Sequence, residues 1–240
     1  MSQETEKRLP VHECFATWQG EGCHMGRAAY FIRTFGCPVK CAWCDAAGTW
    51  HPDYIPQTIE RCMPGALVER ALASDPEFVV ITGGEPAIHD LTPLTRALHE
   101  SGLQVHLETS GAFALKGAFD WVTVSPKWDA APLAEVLAQA DELKIIVESP
   151  RSIGGWLETI APQLKPGCVV WLHPEWSQRE NRAVLSAISQ AVKTGWRSSD
   201  DRVRICPRAG WQLHKLYRVD AMDPHAQAPA PLGGDPALGY

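Results

Sequence analysis

Three cysteines, Cys37, Cys41 and Cys44, fall close together in the stretch "CPVKCAWCD". Three thiolates on one short loop are soft ligands, suited to zinc or to an iron–sulfur cluster. Structural zinc takes four ligands in a closed tetrahedron, and His24, His51 or Cys62 could supply the fourth. A cubane cluster usually takes four cysteines, so three would leave one iron open to a small molecule. The spacing favours the cluster and leaves zinc open.

A second motif, "VVITGGEP", runs from Val79 to Pro86. It reads as a strand ending in Thr82, followed by Gly83, Gly84 and Glu85. Ligands collect at the C-terminal mouth of a parallel sheet. There Gly84 admits a close backbone approach, and the Glu85 carboxylate can pair with an ammonium. "HLETSG" and "VTVSPK" end in the same manner, and Ser110 and Ser125 can reach ribose or carboxylate oxygens. Lys127, after Pro126, can pair a carboxylate as a point charge. "WLHPEW" brings His173, Pro174, Glu175 and Trp176 to a further strand end. Upstream, Trp18-Gln19-Gly20-Glu21-Gly22 sets an amide beside a carboxylate. That pair suits a heterocycle with both donors and acceptors, such as a pterin or guanine edge. Arg33 can clamp a carboxylate in bidentate fashion.

These residues need a scaffold. Apolar, β-branched runs predict strands at 28–35, 78–82, 105–108, 121–124, 142–147 and 169–173, the pattern of strands buried on both faces. Helical patterns lie between them, at 65–73, 91–101, 132–139 and 154–164. A last helix is expected over 177–193, opened by a capping box of Ser177 and Glu180. The alternation predicts an α/β fold with a parallel sheet. In 240 residues a partial, open (β/α)6 barrel with an N-terminal extension fits better than a full eight-unit barrel. The core domain is placed at 1–220. The Ala/Pro/Gly-rich stretch 221–240 reads as a flexible tail. The long connection 46–64 reads as functional or mobile.

Composition narrows the class. No apolar run is long enough to span a membrane, and the N-terminus lacks a signal-peptide core; a soluble cytoplasmic protein is expected. The net charge of −6 speaks against a nucleic-acid partner. The other cysteines, at 14, 23, 62, 168 and 206, are scattered, which argues against a disulfide framework and for small buried or surface residues.

Cys-x3-Cys-x2-Cys after a strand, followed by GGEP, resembles the radical S-adenosylmethionine (SAM) superfamily. The ordered set QGEG, FIRxxGC, CxWCD, ITGGEP, ETSG, VTVSPK and QLHK, from about Glu13 to Lys215, resembles one of its families, the 7-carboxy-7-deazaguanine synthases of the queuosine pathway. The resemblance implies a 4Fe–4S cluster on Cys37, Cys41 and Cys44, with SAM on the open iron. It implies SAM contacts from Trp43, Cys44, Asp45, Gly84, Glu85, Ser125, Pro126, Lys127 and 173–176. Pterin contacts are implied for Trp18, Gln19, Gly20, Arg33 and Thr82, with His214 a further candidate. The implied reaction converts 6-carboxy-5,6,7,8-tetrahydropterin by hydrogen abstraction at C6, ring contraction and loss of ammonia. A flavodoxin or ferredoxin reductant and a homodimer are also implied. The family usually has threonine after Cys-Asp, where it helps to bind magnesium; here the residue is Ala46. A weaker magnesium site or a reduced dependence on the ion follows. Two other readings remain at this point: a glycyl-radical activating enzyme, and a zinc or electron-carrying module.

Overall fold

The computed structural model describes residues 8–218, 222–227 and 232. The chain opens with β1 (Leu9–Trp18), β2 (Ala28–Thr34), β3 (Glu60–Cys62), α1 (Pro64–Leu72), β4 (Phe78–Gly83), α2 (Thr92–Glu100), β5 (Val105–Thr109) and β6 (Trp121–Val124). It continues with α3 (Ala134–Leu137), β7 (Glu142–Val147), α4 (Pro150–Ile160), β8 (Val169–Pro174), α5 (Arg182–Thr194), β9 (Trp196–Arg197), β10 (Arg204–Ile205), β11 (Arg208–Ala209) and α6 (Leu213–Tyr217). Nine strands form one sheet in the order β11-β8-β7-β6-β5-β4-β2-β1-β3. From β2 to β11 every neighbouring pair is parallel, whereas β1 and β3 join antiparallel at one edge. The sheet is not closed.

The six strands expected from the sequence are all present. β1 was hidden because a register shift between Val11 and Glu13 interrupts the period-two alternation by which a half-buried strand is recognised. The QGEG segment therefore follows a strand rather than preceding the first one. The alternation also breaks between β5 and β6, whose connection carries no helix. The last long helix starts at Arg182, not at 177. Asn181 accepts the Ala183 N–H as its cap, while the Ser177 hydroxyl donates to Glu175, so the expected capping box does not form. The 46–64 connection holds a 3-10 turn, Ala47–Thr49, and β3.

The outer face of the sheet carries the main core. Tyr30, Ile32, Val79, Ile81, Val105, Leu107, Val122, Val124, Leu143 and Ile145 pack there with Leu67, Leu94, Leu98, Trp156, Leu157, Val184 and Ile188 from the helices. The alternate residues face inward. At one end they are apolar, with Ala29, Phe78 and Val80 clustered beside Phe31. Toward the strand C-termini they become polar: Arg33, Thr82, Glu108, Ser125 and Lys144 line a cavity.

The tail expected at 221–240 lies largely outside the described residues. Its described part is fastened: Asp223 accepts from the Ala16 N–H at 2.8 Å, and the Gln227 N–H reaches Glu13 at 2.6 Å. The Leu232 N–H donates to the Cys44 carbonyl at 2.7 Å.

Candidate active site

The cluster loop leaves the end of β2 and is stitched to the end of β4. The Thr34 hydroxyl donates to the Thr82 carbonyl at 3.0 Å, the Gly84 N–H to Thr34 at 3.1 Å and the Glu85 N–H to Gly36 at 2.9 Å. A Cβ on Gly84 would sit 2.3 Å from the Gly36 carbonyl oxygen. Glycine is required there so that the turn can dock on the cysteine loop. Gly84 also lines the cavity.

Cys37, Cys41 and Cys44 are free thiols, and all three line a cavity of about 220 Å³. Burial pushes the Cys41 thiol up to about 11 and raises Cys37 and Cys44. A cationic iron centre reverses that penalty by binding thiolates. The candidate fourth ligands for zinc lie elsewhere. His24 packs tilted against His106 and edge-on to Trp121, and His51 packs on Trp50 and Tyr54. Cys62 is buried in β3. No three His, Cys, Asp or Glu side chains among the described residues converge as ligands of a single ion would. Three thiols on the wall of an open cavity fit a cubane with one exposed corner better than a closed zinc site.

Most of the residues singled out in the sequence meet in this cavity: Trp18, Gln19, Gly20, Glu21, Arg33, Trp43, Asp45, Ala46, Thr82, Gly84, Glu85, Ser110, Ser125, Lys127 and His214. The Lys127 ammonium lies 5.3 Å from the Trp43 ring centroid and donates to the Ser125 carbonyl at 2.6 Å and hydroxyl at 2.8 Å. Burial lowers its pKa. Glu85 is 1% exposed. Its two oxygens accept from the Thr109 hydroxyl, the Ala87 N–H, and the Ser110 N–H and hydroxyl. Those four donors match the lone-pair capacity of a carboxylate, so here Glu85 ties β4 to β5 rather than presenting an open acceptor. Ser110 is likewise engaged by Glu85.

Pro126 and residues 173–176 do not line the cavity. His173 is fully buried against Gly210, where a Cβ would meet its ring at 2.2 Å. Neither of its ring nitrogens finds a hydrogen-bond partner among the described residues. Burial holds its pKa at about 4. Glu175 accepts from the Ser177 N–H at 3.1 Å, and Trp176 is buried beside Trp211.

The sequence reading missed two charged residues that shape the cavity. Glu108 accepts from the Gln19 amide at 2.9 Å and from the Thr82 hydroxyl at 3.3 Å. Lys144 pairs with Glu21. Both were discoverable as strand charges on the same side as Ser110 and Ile146 by the period of two. Glu21 also accepts from the Gln212 amide at 2.9 Å. Burial pushes its pKa up, but Lys144, His173 and His214 outweigh that and hold it well below the usual range. Arg33 pairs through Nε with Glu13 at 2.6 Å.

The α6 segment closes one side. The Leu213 N–H donates to the Gly20 carbonyl at 3.1 Å, and the His214 ring lies so near that a Cβ on Gly20 would meet it at 2.5 Å. Lys215 pairs with Asp45 at 3.2 Å. Burial raises the Asp45 pKa, but Lys215, His214 and Arg33 outweigh it and hold the group at about 2.

No family model matches the chain. Over 192 residues the chain is 42% identical to the 7-carboxy-7-deazaguanine synthase of Synechocystis sp., covering 79% of this chain and 88% of that one. Over 215 residues it is 38% identical to the 7-carboxy-7-deazaguanine synthase of Escherichia coli K12, covering 80% and 95%. The crystal structure of QueE from Escherichia coli superposes with a TM-score of 0.71 at 32% identity, over 86% of this chain and 95% of that chain. Neither a glycyl-radical activating enzyme nor a zinc module is needed to explain these likenesses. Similar in sequence and fold over most of both lengths, the chain belongs to the 7-carboxy-7-deazaguanine synthase family.

Proposed function

We propose that the protein converts 6-carboxy-5,6,7,8-tetrahydropterin to 7-carboxy-7-deazaguanine in queuosine biosynthesis, as a radical SAM enzyme. The observation that carries this reading is the shared cavity. Its lining brings together the three cluster thiols, Glu21, Glu108, Gln19 and Arg33, and Arg33 lies two strands from Glu108. That polarity matches a ring with an N–H-rich edge at one end and a carboxylate at the other.

Cys37, Cys41 and Cys44 would hold a 4Fe–4S cluster. Bound there, the reduced cluster and SAM supply hydrogen-atom abstraction from the substrate. Trp43 and Lys127 line the SAM side, with Gly84 and Ser125 shaping the wall. Glu21, Glu108, Gln19 and Thr82 accept from or donate to the pterin edge. Arg33, steered by Glu13, faces the substrate carboxylate. His214 and Lys215 shut the cavity on the α6 side and exclude water, which positions the reacting carbon and shields it from quenching.

The finer expectations belong to the same reading. The sheet serves as an open partial barrel, magnesium assists turnover, a flavodoxin or ferredoxin supplies the electron and the enzyme works as a homodimer. No helix among the described residues is long and apolar enough to cross a membrane. Ala46 offers its carbonyl to the Thr49 hydroxyl at 2.7 Å and has no side-chain oxygen for magnesium. Magnesium titrated into turnover assays is expected to act at lower concentration on Ala46→Thr than on the parent; identical titrations would remove Ala46 from the magnesium argument.

The decisive experiment is anoxic reconstitution with iron and sulfide, reduction by dithionite, and mass spectrometry of the product from the carboxylated tetrahydropterin. The 7-carboxy-7-deazaguanine product is expected. Deoxyadenosine released without any ring-contracted product would sink the substrate assignment.

A further inference from the structure

Lys144 sits in β7 between Leu143 and Ile145, both fully buried. An ammonium there is costly unless it is paired. Its partner, Glu21, lies 123 residues away on the loop after β1. Glu21 lies past the end of β1 and just before the 3-10 turn Gly22–His24, where Gly22 has a φ of +70°. The Glu21 carboxylate is held by Lys144 on one oxygen and by Gln212 on the other. Both members of the pair line the cavity, and Lys144 keeps a side-chain exposure of 12%.

We propose that Lys144 is a positioning and specificity-determining residue that fixes Glu21 as an oriented, acceptor-only carboxylate for the N–H edge of the substrate heterocycle. This rests on the pterin reading above and adds a residue that the motifs do not contain. A carboxylate whose oxygens are each tied to one donor keeps one further acceptor site on each. Such a group takes a ring edge presenting adjacent N–H donors and discriminates against one presenting an acceptor. Left unpaired in the same buried place it would take up a proton, and its protonated oxygen would then donate instead.

The groups around Glu21 are Lys144 from β7, His173 from β8, Gln212 and His214 from the α6 segment, and Asp45 from the cluster loop. Lys144 is faced in addition by Glu108 and Glu142. The two histidines favour the ionised form of Glu21, but His173 is held neutral by burial. Lys144 is therefore the dominant fixed charge.

The test uses the reconstituted holoenzyme with SAM and no reductant, so that no turnover occurs. Calorimetric titration with 6-carboxypterin is run between about pH 5 and 8, alongside SAM binding and thermal melting. The parent is expected to bind with little pH dependence in its carboxylate term. Lys144→Met is expected to bind 6-carboxypterin about tenfold or more weakly at neutral pH, with a loss that deepens as pH falls. Lys144→Arg is expected to restore most of the affinity, and SAM binding should not move. A folded Lys144→Met protein that binds the pterin like the parent overturns the proposal and leaves the pterin reading intact. Equal losses of SAM and pterin, or a loss without the pH signature, make Lys144 merely structural and also overturn it. A parent that binds SAM but not 6-carboxypterin overturns the pterin reading and this inference with it. If Lys144→Met does not fold, the Glu21→Gln/Lys144→Met pair removes both charges together. Its expected signature is weak, pH-independent pterin binding, and parental affinity in that variant would equally refute the proposal.

Discussion

The two faces of one sheet differ as much as two proteins would. Along β5, Leu107 points outward into the helix-covered core and is fully buried. Glu108, one residue on, points inward and is hydrogen-bonded to Gln19 and Thr82. The outer face is uniform and apolar, so it supplies stability and tolerates little loss of volume. The inner face places charges where burial is unfavourable, and these persist because each is matched by a partner. Stability and chemistry therefore alternate residue by residue along the same strands.

The sharpest break of that comparison is expected at the cluster loop. Cys41→Ala should abolish the iron–sulfur chromophore and all deoxyadenosine release while leaving the denaturation midpoint close to the parent, since Cys41 belongs to neither main apolar cluster. A reconstituted variant that still cleaves SAM would remove the thiol from the site.

The neighbouring pair on β5 gives the next largest contrast. Leu107→Ala should cost about 2–5 kcal/mol in urea unfolding and leave the KM of the folded fraction unchanged. Glu108→Gln should do the reverse, raising KM for the pterin about tenfold with little change in unfolding. Matching effects from the two would mean that the faces are not separable.

A pH experiment probes the closed, apolar end of the inner face. His106 stacks on Phe78 at 4.1 Å, and burial, with His24 and Arg27 nearby, lowers its pKa from 6.5 to about 3. The folded form binds fewer protons than the unfolded form below 6.5. Stability must therefore fall as pH drops through that range, by up to about 1.4 kcal/mol per pH unit for one such group. His106→Phe should flatten the fall between about pH 6 and 4. An unchanged slope would assign the acid sensitivity to other groups.

The smallest effect is expected where a charge pair faces water. Arg70 and Glu60 meet at 2.5 Å with side chains 42% and 53% exposed. Arg70→Ala should change stability by less than about 1 kcal/mol, in contrast to the buried Glu21–Lys144 pair. A large loss would show that Arg70 supports the nearby Cys62 and Cys14 packing instead.

Much of the site was legible before any coordinates. Cys37, Cys41 and Cys44, the Thr82–Glu85 turn, Gln19 to Glu21, and Ser125 with Lys127 are local patterns, and each of these lies on the cavity wall. The segment 173–176 was read as another strand end of the same kind, yet β8 turns His173 into a packed space under Gly210. β1 was missed because its register shift hides the alternation. The α6 contacts with Gly20 and Asp45 had no sequence signal that would tie them to their partners.

What the chain's own letters determine is chemistry carried by neighbours: three thiols on one turn, glycines at a tight junction, strands that alternate. Such signals depend on backbone geometry over a few residues. What only the tertiary structure decides is who pairs with whom across the cavity. Glu21 with Lys144, Gln19 with Glu108 and Asp45 with Lys215 join segments far apart in the chain. Side-chain charge interactions depend on a few ångströms in space, and the register that sets those distances exists only once the sheet has formed.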